Sequence, residues 1–345
     1  MPDLGPRIAV LGAGANGASI GADLTLAGAD VTLVEQWPDH VEAMRAHGVR
    51  INTPQTSTVV PVRVLHLCDV ATLRQRFDVV LMLVKAYDST WATQLIEPYL
   101  AADGLLVGVQ NGMTVDAIAD VVGRSRTLGC VIEITSMMFE PGIVERHSPH
   151  ERSWFAVGAV DDSAAGREEE IANLLRHVGT VEVVDDIRAA KWMKIVSNAT
   201  TLVTTAILGL PMVEAAAIPR MRALMLRSGQ EALRATMALG NQVLPIFGLT
   251  PDDVADPATV VETLLDTLLD GFVMPDSKTT ILQDWIKGRR SEAGDINGLV
   301  AATLRERGMT APANEAIVEL AREIEQGARR PGPDNLEALL RLAGD

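Results

Sequence analysis

The chain has 345 residues, of which 48% are hydrophobic and 22% charged, and its formal net charge is −15. This length favours two globular domains, and the acidic balance argues against nucleic acid or an anionic membrane as a partner, because both require basic patches. Cys68 and Cys130 are the only cysteines and lie in no metal or disulfide pattern. No signal peptide or membrane-spanning segment is visible, so we expect a cytoplasmic protein without a metal site.

The first predicted elements are a strand, a glycine-rich turn and a helix. The apolar run over residues 7–11 leads into Gly12-Ala13-Gly14-Ala15-Asn16-Gly17, and a helical stretch follows over 18–27. A G-x-G-x-x-G segment in this context is typical of a dinucleotide-binding site. Gly12 permits the tight turn, Gly14 lets a pyrophosphate approach the backbone, and Gly17 lets helix and strand pack closely. The phosphate charge would then lie at the N-terminus of the helix.

Glu35 ends the second apolar run and lies about 20 residues after the glycines, where such folds carry an acid. Its carboxylate can accept hydrogen bonds from the adenosine ribose hydroxyls, and it repels a 2′-phosphate. We therefore favour NAD(H) over NADP(H) as the cofactor. The alternative is that Glu35 is only a solvated strand end.

Strand patterns continue through the first half of the chain. Near-continuous runs of Val, Leu and Ile are typical of parallel strands that are buried on both faces. The predicted strands span residues 8–11, 31–34, 59–64, 79–84, 105–109 and 127–132, with 153–158 and 181–184 as late antiparallel additions. Helices are predicted between several of them, at 18–27, 40–46, 89–99 and 115–122.

Beyond Asp186 the sequence predicts only helices. They span residues 188–208, 213–239, 257–269, 278–286, 296–307 and 314–325, with a further helix start at Pro251 and a last short helix after a break at 327–332. We therefore predict an α/β fold, with a dinucleotide-binding domain over residues 1–186 and an all-helical domain over 187–345. Such a pair of halves resembles several dehydrogenase families, which implies that the helical half carries the catalytic group.

Two segments of the helical half carry candidate catalytic residues. Lys194 and Asn198 are four residues apart and share one helix face, where an ammonium can donate a proton to a carbonyl and an amide can orient the same ligand. The alternative is an exposed lysine on an amphipathic helix. Glu292 follows a basic stretch and can pair with a lysine or accept from a substrate hydroxyl. Its alternative is an ordinary acid at a helix start.

Two residues of the first half follow predicted parallel strands, whose carboxyl ends form the ligand edge of such sheets. Asn111 comes after the strand at 105–109, and Lys85 ends the strand at 79–84. Asn111-Gly112 is also a common turn sequence, and Lys85 can be read as a mere strand end. Both remain candidate cofactor-binding residues, and Asn111 is also a candidate for the substrate.

Taken together and in this order, these motifs resemble one family, the ketopantoate reductases (2-dehydropantoate 2-reductases) of the 6-phosphogluconate-dehydrogenase-like group. The matching pieces lie between about residues 7 and 317 and are Gly12-x-Gly14-x-x-Gly17, Val84-Lys85-Ala86, Gln110-Asn111-Gly112-Met113, Trp192-x-Lys194-x-x-x-Asn198, and Leu282-Gln283-Asp284 leading to Ser291-Glu292-x-x-Asp295-Ile296-Asn297-Gly298. The resemblance implies an N-terminal Rossmann domain with a parallel sheet, a C-terminal helical domain, and hydride transfer from a reduced nicotinamide to the keto carbon of a 2-oxo acid. We also expect a homodimer.

The resemblance assigns roles to individual residues. Lys194 matches the general acid of the family, and Glu292 matches the carboxylate that holds this lysine and the substrate. Asn111 and Asn198 match the groups that position the substrate beside the nicotinamide. Thr280 falls where the family has a serine that binds the substrate carboxylate.

The chain also departs from the family pattern. Glu35 stands where members that use NADPH carry a basic residue, and Leu202 replaces a second asparagine. Lys278 adds a positive charge near Thr280, so the pocket is expected to bind a small anionic 2-oxo or 2-hydroxy acid. That acid is either ketopantoate or another one, and the NAD preference leaves a catabolic, oxidative direction open. One alternative is a dinucleotide sensor without catalysis, although it would need neither Lys194 nor Glu292. Another is a dehydrogenase of the amino-acid or opine type, although such sites centre on a histidine and the helical half contains none.

Overall fold

The computed structural model describes residues 5–344, so the first residues, on which the expectation about a signal peptide rests, lie outside the described part. The chain divides into two compact units, of which the first ends at Ile187 and the second begins at Arg188. The first unit contains all the strands of the described residues. The second is built from helices and irregular segments.

Twelve strands form the two sheets of the first unit. They are β1 Arg7–Leu11, β2 Asp30–Glu35, β3 Val49–Asn52, β4 Ser57–Val60, β5 Arg63–His66, β6 Phe77–Met82, β7 Leu100–Gly108, β8 Thr127–Glu133, β9 Ser136–Glu140, β10 Ile143–Arg146, β11 Trp154–Ala159 and β12 Thr180–Val183.

The larger sheet has eight strands in the order β12-β11-β8-β7-β6-β1-β2-β5. Its strands from β8 to β5 are all parallel. Because successive side chains of a strand point to opposite faces, Ile8 and Val10 pack into one apolar core while Ala9 and Leu11 pack into another. Both faces are therefore buried, as the near-continuous apolar runs predict, and the α/β fold class is confirmed.

The late strands behave as the sequence predicts. β11 runs antiparallel to β8, and β12 pairs parallel with β11, so both run against the rest of the sheet. The single strand predicted over residues 59–64 is wrong, because it is divided into β4 and β5 at Pro61, which has no N–H to continue a ladder. β4 belongs to a second sheet of order β4-β3-β10-β9, which the sequence analysis did not predict.

The helices of the first unit are α1 Ala15–Leu26, α2 Pro38–His47, α3 Ser89–Ile96, α4 Val115–Val122 and α5 Glu168–Leu175. Those of the second are α6 Ile187–Ile207, α7 Met212–Ala216, α8 Pro219–Ala238, α9 Val260–Gly271, α10 Thr280–Ile286, α11 Leu299–Glu306, α12 Pro312–Glu325 and α13 Asn335–Leu342. The continuous helix predicted over 213–239 is wrong, since Pro219 begins a new helix.

Helix α6 is the centre of the second unit. Nearly every residue from Ala189 to Leu208 is buried, including the charged side chains of Lys191 and Lys194. A lysine is almost never buried so completely unless a partner offsets the cost of removing its charge from water. The burial of Lys194 therefore points to a site rather than to a solvent-facing surface. No helix of residues 5–344 has both the length and the apolar character needed to cross a membrane.

Candidate functional site

The glycine-rich turn joins β1 to α1, and Gly12 makes it possible. Its φ is +95°, a conformation that other residues rarely adopt, and a Cβ here would lie 2.6 Å from the backbone nitrogen of Val84. The Gly12 N–H donates to the carbonyl of Val34 at 2.9 Å, which fixes the turn to the end of β2. The turn thus requires glycine at its first position for steric reasons alone.

Gly14 leaves room for a ligand at the start of α1, and Asn16 offers the ligand a hydrogen-bond acceptor. A Cβ added to Gly14 would meet no atom within 4 Å, so packing within the unit does not explain the glycine. The Asn16 Oδ1 atom is buried and has no hydrogen-bond partner among the described residues. A buried polar atom without a partner is costly, and the nearby helix N-terminus favours an anion. These features fit the pyrophosphate and sugar of a dinucleotide.

Glu35 is the last residue of β2 and is buried. Its Oε1 accepts from the backbone N–H groups of Gln36 and Trp37, at 2.9 and 3.0 Å. Within residues 5–344, no donor contacts Oε2. One oxygen of the carboxylate is therefore fixed by the backbone, and the other is available for a ribose hydroxyl. This does not fit the reading of Glu35 as a solvated strand end.

His40, on α2, supports the glycine-rich turn and was not recognised in the sequence. It is fully buried, its Nδ1 accepts from the N–H of Gly142 at 2.8 Å, and its Nε2 lies 3.0 Å from the carbonyl of Ala13. Because Nδ1 accepts, Nε2 carries the proton and donates to Ala13. In the sequence, the only sign of this role was a lone histidine on the apolar face of a short helix.

Lys85 and Asn111 lie beyond the carboxyl ends of β6 and β7. These strands neighbour β1 in the order β7-β6-β1-β2, so the topology gathers Asn111, Lys85, the glycine-rich turn and Glu35 at one edge of the sheet. Gln110, beside Asn111, donates to the hydroxyl of Ser89 at 2.7 Å and accepts from that of Thr114 at 2.9 Å. Gln110 therefore holds the loop that carries Asn111.

In the second unit, Lys194 and Asn198 lie one turn apart on α6, as predicted. Their relative exposures are 8% and 1%. The alternative of an exposed lysine is therefore wrong. The Nζ atom of Lys194 lies 4.9 Å from the centre of the Phe247 ring, a distance at which an ammonium is attracted to the aromatic face.

Phe247 lies in the loop between α8 and α9, and the sequence analysis missed it. With φ of +63° it is the one non-glycine residue of positive φ in the described chain. The N–H of Leu249 donates to the carbonyl of Ile246 at 3.2 Å, which closes a tight turn in which Phe247 and Gly248 both have positive φ. Such turns favour glycine or asparagine, and the left-handed conformation costs about 1–2 kcal/mol for other residues.

The start of α10 is attached to α6. The hydroxyl of Thr279 caps α10 by accepting from the N–H of Leu282 at 3.3 Å, and it donates to the carbonyl of Leu202 at 3.0 Å. Thr279 is therefore committed to structure, whereas Thr280 is the first helical residue and is half-buried beside half-buried Lys278. This bond brings both candidate substrate residues to the Asn198–Leu202 stretch of α6.

The segment that carries Glu292 is also tied to α6. Asn297, in a single π-helical turn over Gly294–Gly298, donates to the carbonyl of Ala199 at 3.2 Å and to Oδ1 of Asn314 at 2.8 Å. At its other end, the N–H and hydroxyl of Ser291 donate to Oε1 of Glu325 at 2.9 and 2.6 Å. The Asn297 bond holds one end of this segment to α6, the helix of Lys194, and the Ser291 bonds hold the other end to the last residue of α12. Glu292, next to Ser291, is 3% exposed.

The electrostatics of this segment are those of a crowded acidic site. Burial, and next the nearby carboxylate of Glu292, raise the pKa of Asp295, while Arg290 opposes this. One Asp295 oxygen has no hydrogen-bond partner within residues 5–344. A buried ammonium, a buried carboxylate, an amide and a hydroxyl can together bind an oxyacid and move a proton. No cluster of three or more His, Cys, Asp or Glu residues suited to a metal occurs in the described part.

Comparisons with known proteins agree with this geometry. The family model "Ketopantoate reductase PanE/ApbA" matches residues 8–159, and "Ketopantoate reductase PanE/ApbA C terminal" matches residues 186–325. A 2-dehydropantoate 2-reductase of Archaeoglobus fulgidus is 28% identical over 323 residues, covering 93% of this chain and 98% of the relative.

Solved structures give the same result. A PanE/ApbA family ketopantoate reductase from Ralstonia eutropha JMP134 superposes with a TM-score of 0.77 at 27% identity, covering 93% of this chain and 99% of that one. A D-mandelate dehydrogenase superposes with a TM-score of 0.81 at 20% identity and the same coverage, which shows a shared fold. With both halves matched in order, the chain belongs to the ketopantoate reductase family and is an oxidoreductase of that type.

Proposed function

We propose that this protein interconverts a small anionic 2-oxo acid and its 2-hydroxy acid, with Lys194 as the proton donor and NAD(H) as the preferred cofactor. The observation that carries the proposal is the burial of Lys194 on α6, together with the attachment of the Glu292 segment to the same helix. We further propose that residues 1–186 hold the dinucleotide and residues 187–345 the substrate, in a cytoplasmic homodimer.

The proposed contacts with the cofactor all come from residues of the first unit. The N–H groups at the start of α1 and the Asn16 amide would hold the pyrophosphate and its neighbouring sugar. Glu35 would accept from the adenosine ribose through Oε2, and Lys85 and Asn111 would complete the edge of the sheet. When bound, the reduced nicotinamide supplies a hydride to the keto carbon.

The roles proposed for residues of the second unit follow from the charge and hydrogen-bonding groups of their side chains. Lys194 would donate a proton to the keto oxygen and stabilise its developing negative charge. Glu292 would hold the lysine and the substrate hydroxyl, and Asn198 would orient the oxygen of that hydroxyl. Thr280 would donate a hydrogen bond to the substrate carboxylate, with the charge of Lys278 nearby. In the oxidative direction a neutral Lys194 would accept the proton instead.

Changing Glu35 to arginine is expected to reverse or narrow the cofactor preference. The unmodified protein should bind NADH about tenfold more tightly than NADPH, or about 1.4 kcal/mol, because the carboxylate repels a 2′-phosphate. Fluorescence titration of both cofactors against both proteins measures the ratio. Asp30→Asn removes a carboxylate at the opposite end of β2 and should leave the ratio unchanged. Equal affinity for the two cofactors in the unmodified protein would contradict the role of Glu35.

Changing Thr280 to valine is expected to raise KM for the acid by about tenfold, with little change in NADH affinity, because one hydrogen bond to a charged group is lost. Thr279→Val is the matched control. It removes the cap of α10 and the bond to Leu202, so it should lower the melting temperature instead. Methyl esters of the acids should be poor substrates. A neutral ester that reacts as well as its acid would rule out an anion site at Thr280.

A substrate panel tests the function as a whole. Ketopantoate, pantoate and other 2-oxo and 2-hydroxy acids are assayed with NAD(H) and NADP(H) by the absorbance of the reduced cofactor. Turnover of at least one acid is expected, and Leu202 favours those with a more apolar side chain than ketopantoate. Tight NADH binding without turnover of any acid would favour the non-catalytic sensor.

A further inference from the structure

Phe247 combines three observations that the proposed chemistry does not use. It is buried, its backbone has a conformation that phenylalanine rarely adopts, and its ring faces the Nζ atom of Lys194 at 4.9 Å. Strained residues persist where the surrounding structure holds them, and they concentrate at functional sites. The strain therefore calls for a compensating interaction, and the ring contact with Lys194 is one.

The turn explains how the ring reaches the lysine. Phe247 and Gly248 occupy the two central positions of the turn closed between Ile246 and Leu249. Phe272, which follows α9, packs against the Phe247 ring with centroids 5.3 Å apart and planes inclined by 44°. Phe272 therefore gives the Phe247 ring an apolar support, and the negative face of an aromatic ring attracts an ammonium at the distance of Lys194.

We propose that Phe247 is a positioning residue for Lys194: its ring holds the ammonium group in a fixed, dehydrated place from which the proton is delivered. The proposal rests on the proposed function for its effect on turnover, although the contact itself can be tested without activity. Lys194 has a long side chain with several rotatable bonds, and the aromatic ring limits the motion of its ammonium group without neutralising the charge.

Three variants separate the aromatic face from packing and from backbone strain. Phe247→Leu keeps an apolar side chain at the strained position and should lower kcat about tenfold, which is the loss of about 1.4 kcal/mol. Phe247→Tyr keeps the aromatic face and should retain kcat within about threefold. Phe247→Gly relieves the backbone strain but removes the ring, so it should lose at least as much activity as Phe247→Leu while the turn remains favourable.

Phe272→Leu is the matched control, because it makes the same exchange at the neighbouring ring. It should lower the melting temperature with a smaller effect on kcat than Phe247→Leu. Replacement of Phe247 by phenylalanines with one, two and three ring fluorines weakens the quadrupole stepwise at nearly constant shape. The logarithm of kcat should fall in step with fluorination. A flat series, or equal losses in the two leucine variants, would overturn the proposal.

An activity-independent measurement distinguishes this proposal from the proposed function. The rate at which an anhydride acylates Lys194 is followed by mass spectrometry, with the exposed amines as internal reference. Phe247→Leu should increase it several-fold, and Phe247→Tyr and Phe272→Leu should not. Increased acylation with unchanged kcat would leave the ring contact standing and overturn the positioning role of Phe247, and unchanged acylation in Phe247→Leu would refute the contact. Neither outcome bears on the proposed function, which fails if Lys194→Ala keeps a near-normal kcat.

Discussion

Replacing Lys194 with alanine is expected to lower kcat by about 10²–10⁴-fold, the usual effect of removing a general acid. The residue is buried on α6, in the unit that also holds Asn198, Thr280 and Glu292. Because the proposed dinucleotide contacts belong to the other unit, NADH affinity should change little. Steady-state kinetics with the best acid of the panel, alongside a fluorescence titration of NADH, measures both quantities.

Lys194→Arg and Lys191→Ala sharpen this test. Arginine keeps the charge but holds its proton too tightly to donate it, so Lys194→Arg should not restore turnover. Lys191 is equally buried on the same helix and has no proposed role in the reaction. Its replacement should reduce stability more than kcat. A Lys194→Ala enzyme with near-normal kcat would remove the proposed mechanism and leave a family member whose proton donor is elsewhere.

Replacing Gly14 with alanine is expected to weaken NADH binding on the order of 100-fold, or about 2.7 kcal/mol, without unfolding the protein. The added Cβ meets no protein atom within 4 Å and Gly14 has an ordinary φ of −62°, so the free protein accepts it. A bound pyrophosphate would not, because its hydrogen bonds to the N–H groups of α1 need that space. Thermal melting of the variant tests whether it stays folded, and NADH titration measures the loss of affinity.

Two other glycines provide controls for this prediction. Gly271→Ala also adds a Cβ with nothing within 4 Å, at the end of α9, and should leave NADH binding unchanged. Gly17→Ala places its Cβ 2.0 Å from the carbonyl oxygen of Gly12, so the turn itself should be destabilised. If Gly14→Ala binds NADH normally while remaining folded, the dinucleotide does not occupy this turn.

The sequence determined the parts of the fold that depend on local pattern. Buried parallel strands need apolar residues on both faces, which made β1, β2, β6, β7 and β8 visible as continuous runs. The glycine-rich turn was visible because Gly12 is required by its backbone conformation. The second sheet was missed because the pairing of β10 with β3 joins residues far apart in the chain. Prolines explain the wrong elements, since Pro61 and Pro219 interrupt otherwise regular patterns.

For the candidate site, the sequence supplied the residue types and their spacing, and the tertiary structure decided their surroundings. The four-residue spacing of Lys194 and Asn198 fixed a shared helix face, but it could not distinguish an exposed lysine from a buried one. Burial depends on which segments pack around α6, and those contacts come from Thr279 and Asn297, far along the chain. The ring of Phe247 beside Lys194 was invisible for the same reason: an aromatic contact between distant residues is set by packing, which no local periodicity records.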